Sequence, residues 1–236
     1  MELNVLLETV AQQQGASVQP DGVTRSLRAT RVGQLFTADW KAELVLAGMA
    51  YNVTVGGITG GANVALITGG GAGATTIDSD QPEMAIGTPT GYFHVPLSFE
   101  FAGQVDIDAD VSEGNVILFA DTVKTIPAPV IASATLETPV NLLGGGPAAI
   151  SYAESQVTGA NITSPVCSML LAYATTQGSE VSAAGYAVPD LQCHWNLPFP
   201  ILLKGPCSVI ACWGGTKAVL GIASYCYAEV PISRFA

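Results

Sequence analysis

Two histidines, His94 and His194, bound the acid–base and nucleophilic chemistry open to this 236-residue chain. A Ser–His–Asp arrangement needs one of them beside an activated serine, and no G-x-S-x-G elbow supplies that serine. His94 falls on the polar side of an alternating segment, and His194 stands between Cys193 and Trp195 before a Pro198-Phe199-Pro200 turn. Cys167, Cys193, Cys207, Cys212 and Cys226 form no C-x-x-C pair, so they read as small buried thiols and not as a zinc site. Asp106, Asp108 and Asp110 fit the start of a calcium loop, but Val111 holds the position that needs glycine and no glutamate closes the loop. Asp78, Asp80 and Glu83 are a candidate cation cluster at a subunit contact, although the Ser and Pro among them are plain turn formers. Gly69-Gly70-Gly71-Ala72-Gly73-Ala74 fits a loose G-x-G-x-x-A. No helix start follows to hold a pyrophosphate, and no Lys-Ser/Thr follows for a P-loop. The expectation is a chain with no catalytic residue, no cofactor and no resident metal.

Composition then says what the elements around these residues face. Apolar residues make up 49% and charged residues only 11%, under half the usual charged share of a soluble domain. Surface that is neither charged nor wet must meet something, and another copy of the chain is the simplest partner. Eight basic against 19 acidic residues give a net charge of −11, which disfavours strong nucleic-acid binding by the folded domain. No apolar run approaches the ~18 residues of a membrane span. The opening Met1-Glu2-Leu3-Asn4 has no basic stretch of a signal peptide. Assembly in a cytoplasm with reduced thiols is therefore expected, with membrane contact left open.

Gly (26) and Pro (14) punctuate short segments rich in Val, Ile, Thr and Ala, the pattern of an all-β chain. Leu3, Leu6, Leu7 and Val10 have the i, i+3, i+4, i+7 spacing of a short amphipathic helix that Gly15 ends. An extended arm carrying Arg25, Arg28 and Arg31 follows to about residue 36. These seven residues are the candidate assembly contacts. Residues 37–236 are expected to form one β-sandwich, with strand from Trp40 through Val55 and a long loop over 75–91. Between Phe93 and Val111, odd positions are apolar while even ones carry His94, Glu100, Gln104 and three aspartates, which predicts one buried and one wet face. Such a run is long for one strand. It is either a hairpin with a three-residue loop at Ala102–Gln104, pairing Phe101 with Val105, or one strand bent at Gly103. The hairpin is preferred. Further strands are expected at Asn115–Phe119, Val130–Leu136, Ser168–Ala174, Ile201–Lys204, Ser208–Trp213 and Leu220–Tyr227.

Several local sequences resemble a family. Asp80-Gln81-Pro82-Glu83, Pro89-Thr90-Gly91, Pro96-Leu97 at the head of the alternating strand, and the ending Tyr225-Cys226-Tyr227-Ala228-Glu229-Val230-Pro231 are similar to virion structural proteins of bacteriophages, especially those of uncultured aquatic phages. The resemblance implies a capsid protein with an antiparallel β-sandwich of jelly-roll type, assembling with copies of itself and other virion proteins. A decoration or spike protein is the first rival. A glycan-binding β-sandwich is the second, with Trp40, Trp195 and Trp213 as stacking faces.

Overall fold

The structure is a computed structural model that describes residues 40–59, 63–68, 77, 79–105, 112–123, 135–156, 165–178, 190–197, 200–215 and 219–235. The first described element is a short helix, α1 (Trp40–Leu46), where the sequence suggested strand. Its residues are helix formers with Trp40 and Leu44 on one stripe. Gly48, at φ +68°, stops it by giving its N–H to Val45 O, and Met49 N bonds Leu44 O.

Eight strands follow that frame the body: β1 (Ala50–Val55), β2 (Met84–Thr88), β3 (Tyr92–Val105), β4 (Ser112–Asp121), β5 (Met169–Gly178), β6 (Asp190–Asn196), β7 (Cys207–Gly215) and β8 (Val219–Pro231). One sheet has the order β6-β3-β8-β1 and the other β5-β4-β7-β2, with every pairing antiparallel. First pairs with eighth, second with seventh, third with sixth and fourth with fifth. The frame is thus one long antiparallel hairpin rolled into two facing sheets, which is the jelly-roll connectivity. Short strands extend the edges: Val140–Asn141 lies beside β1, and Tyr152–Ser155 followed by Thr135–Glu137 lies beyond β2.

The core fills the space between the sheets. Val53, Phe99, Phe101, Tyr225 and Tyr227 come from the first sheet, and Met84, Ile86, Leu118, Val209 and Trp213 from the second. Each aliphatic or Phe side chain removed from water here contributes about 1.5–3 kcal/mol. Phe101 and Trp213 meet across the layers with centroids 5.0 Å apart, and Trp213 Nε1 donates to Ile67 O at 3.2 Å.

The alternating run is one long strand, not a hairpin. β3 pairs with β8 from Tyr92↔Pro231 to Val105↔Val219, passing straight through Gly103. Gly103 is there for space: it lies opposite Gly221, and a Cβ on either would meet the Phe101 ring, at 2.7 and 2.3 Å. The irregularity falls elsewhere. Cys226 pairs with Ser98 but Tyr227 with Pro96, so Leu97 is an extra residue on β3. Such a bulge reverses which face each later residue serves. Above it Phe99, Phe101 and Val105 point into the sandwich core. Below it Val95 and Leu97 pack with Ala228 and Val230 against Trp40, Leu44 and Val45 of α1. The odd stripe is therefore divided between two cores. The Leu97 carbonyl accepts from Leu197 N at 3.1 Å and Lys41 Nζ at 3.3 Å, and the same ammonium bonds Asn196 Oδ1.

Gly221→Ala tests the space requirement. The added methyl must displace the Phe101 ring, and a loss of about 1–3 kcal/mol is expected in urea unfolding. An unchanged midpoint would refute that account.

Candidate functional site

The bulge decides the fate of His94. On the even face it would be wet in a regular strand, but below Leu97 the even residues turn inward, and His94 is fully buried. Its Nδ1 shares a 2.9 Å hydrogen bond with Thr88 Oγ1, and its Nε2 one of 2.8 Å with the Tyr225 hydroxyl. Thr88 in turn meets Ser151 Oγ at 2.8 Å. The Tyr227 and Tyr225 rings lie parallel to the imidazole, with centroids at 4.6 and 5.8 Å. Burial lowers the His94 pKa to about 3 and pushes Tyr225 well up, so both stay neutral in the folded protein. The network is closed: no substrate atom can reach the imidazole without opening the sandwich. His194, by contrast, is exposed, on the opposite side of its strand from buried Cys193.

The buried acids also do structural work. Glu229 Oε1 and Oε2 accept from Ser151 N at 2.7 Å and Ile150 N at 2.8 Å, pinning that segment over β8. Asp121 bridges Val123 N and Val166 N, each at 2.8 Å. Glu83 Oε2 accepts from Trp213 N at 2.7 Å. The carboxylate thus satisfies a donor that lies beyond the last ladder pair of β2, Ala211↔Met84. Segment 75–91 is thus not all loop. Of the candidate cation cluster, Glu83 is turned into the protein, Asp80 lies in a turn, and Asp78 is outside the described residues. Among the described residues, no group of three His, Cys, Asp or Glu side chains is placed to hold a metal ion. Glu154 differs from the other acids: it has no exposure, neither oxygen has a hydrogen-bond partner, and burial raises its pKa. Tyr152 beside it is pushed up to about 12 by burial and by the Glu154 charge.

Among the described residues, ten of the twelve exposed large apolar side chains sit at the lateral margins. On one margin β5 is the last strand of its sheet among the described residues, and Met169, Leu170 and Tyr173 stand exposed on it. Val123 and Val166, the residues joined by Asp121, lie next to its start, and the five are 37–72% exposed. On the other margin the segment 135–150 crosses from the edge of one sheet to the edge of the other. It exposes Leu136, Val140, Leu142, Leu143 and Ile150, at 41–62%. A third apolar feature is a groove of about 330 Å³ beside α1, walled by Trp40, Leu44, Met49, Val95, Leu202 and Val230. Arg234 and Glu43 also line it.

The assembly residues suggested by sequence, Leu3, Leu6, Leu7, Val10, Arg25, Arg28 and Arg31, lie outside the described residues, as do Asp106, Asp108 and Asp110. The margins were missed because edge position is a property of pairing, although β5 was legible as a strand without charges. Of the tryptophans, Trp213 is buried, and Trp40 and Trp195 are half-buried against the two cores. Cys193, Cys207 and Cys212 are buried, Cys226 is half-buried and Cys167 is exposed. Among the described residues, no helix is long and apolar enough to cross a membrane. No protein-family model matches the chain, and no curated protein is significantly similar to it.

Two titrations follow. With the folded pKa of His94 near 3 and the unfolded value near 6.5, the unfolded chain takes up the proton first as pH falls. His94 thus contributes stability that is intact above pH 6.5 and is lost at up to about 1.4 kcal/mol per pH unit on the way to 3. In His94→Gln that part of the acid dependence should vanish from urea midpoints, and an unchanged slope would contradict it. Glu154 has the opposite sign. Its raised pKa costs stability as pH climbs above the unfolded carboxylate value, so Glu154→Gln should gain stability at pH 7 relative to wild type and lose that advantage near pH 4.

Proposed function

We propose that this chain is a self-assembling virion structural protein, a subunit of a phage shell. The observation that carries the reading is the pair of apolar margins on opposite sides of a jelly-roll sandwich. Isolated soluble proteins seldom leave large apolar side chains grouped in this way, and groups of that kind mark contact surfaces. The composition supports the same reading, because a chain with 11% charged residues has few charges to keep copies apart. The local resemblance to phage structural proteins supplies the biological setting, a virion built in a host cytoplasm, and other virion proteins are then the remaining partners. The role needs no catalysis, and the one interior histidine is held where it cannot act on a substrate. Binding of genome by the folded domain is opposed by its net charge of −11. A glycan-binding module fits less well, since Trp213 is part of the core and offers no stacking face.

Size exclusion coupled to light scattering, on the purified full chain at micromolar concentration, should give a mass several times 24.2 kDa. Imaging of that species should then reveal rings or closed particles. A clean monomer would overturn the reading.

A further inference from the structure

We infer that the two lateral margins bind each other, one from each of two copies, so that subunits join head to tail and close into a ring. The inference rests on the self-assembly reading above and adds which surfaces meet and by what symmetry.

Among the described residues, one margin is a sheet edge of unusual chemistry. β5 runs Met-Leu-Leu-Ala-Tyr-Ala-Thr-Thr-Gln-Gly, with no charged residue and no proline. Among the described residues, its ladder is made with β4. Monomeric proteins guard such edges with lysines, prolines or bulges. Here a bulge between Leu170 and Ala172 interrupts the start, and from Ala172 to Gly178 the register runs on unbroken. With Met169, Leu170 and Tyr173 exposed, this edge suits an apolar, largely uncharged partner surface. The opposite margin is one. Leu136, Val140, Leu142, Leu143 and Ile150 are exposed there, and Glu137 is the one charged side chain within 135–150.

Area points the same way. Five large side chains about half exposed make a patch on the order of 400 Å², the size of the largest, often functional, patch on a typical soluble protein. Two such patches face to face approach the roughly 1,000 Å² that a specific interface needs, and the surrounding backbone adds more. The symmetry follows from placement. Two-fold contacts would pair each margin with itself, and burying both would then require two separate interfaces. A single contact of one margin with the other, repeated from copy to copy, buries both, and where the rotation between copies closes it gives a ring in place of an open filament.

The test uses two full-length variants, Leu170→Glu on one margin and Val140→Glu on the other. Wild type should run as a multiple of 24.2 kDa, and each variant alone as a single subunit. An equimolar mixture should recover a species of two subunits and nothing larger, because each variant brings one intact margin. If a variant alone keeps the wild-type mass or forms a dimer with itself, the head-to-tail contact is wrong while self-assembly stands. A monomeric wild type would instead overturn the self-assembly reading. Circular dichroism checks that each variant is folded, and Tyr173→Lys with Leu136→Lys serve as the second pair if either glutamate variant is not.

Discussion

The extra residue at Leu97 sets the orientation of everything packed on the long central strand. β3 and β8 pair along almost their whole length, and a strict two-residue period would commit each strand to one buried face. The bulge lets one apolar stripe serve two cores: Phe99 and Phe101 fill the sandwich, while Val95 and Leu97 seat α1 on its outside. The same inversion carries His94 inward, where Thr88, Tyr225 and the tyrosine rings receive it. The site is secured from outside by Lys41 and Leu197, both of which reach the Leu97 carbonyl. Restoring a regular register would turn Val95 and Leu97 away from α1 and carry His94 to the outer face, so helix, polar network and core stand together.

The acidity of the chain has a partly internal explanation. Glu83, Asp121 and Glu229 each take backbone N–H groups at places where a connection leaves the sheets and no strand partner is available. A carboxylate suits this position because it accepts two bonds at once and charge-assisted bonds are strong. Among the buried acids of the described residues, Glu154 stands out as the one that has not found donors.

Much of the architecture was legible from residue types. The alternation over Phe93–Val105, the uncharged run at Ser168–Ala174 and the segment Leu220–Tyr227 all predicted strands that exist, and the all-β sandwich follows from them. What sequence could not convey is where pairing is interrupted. Glycine at 103 looks like a turn, yet the turn reading fails because the residue opposite is also glycine and the Phe101 ring needs both. The wet-face assignment of His94 fails for want of one bulge residue. Met84–Thr88 looked like loop because Pro82 and Pro89 bracket it, although prolines at both ends of a strand only mark its limits. Trp40–Leu46 looked like strand because its apolar residues ran on into β1. The margins were hidden for a more general reason: whether a strand is central or lateral depends on partners far away in the chain.

The nested pairing of the eight strands also governs the order in which the molecule can form. β4 and β5 meet early, but β1 waits for β8, with Ala50 beside Ala228. During synthesis the first strand is complete long before its neighbour has been made, so the first sheet cannot close until nearly all of the jelly roll has left the ribosome. Contacts this distant in sequence are slow to form. Until they do, β1, uncharged from Ala50 to Val55, stands without the strand that completes its sheet.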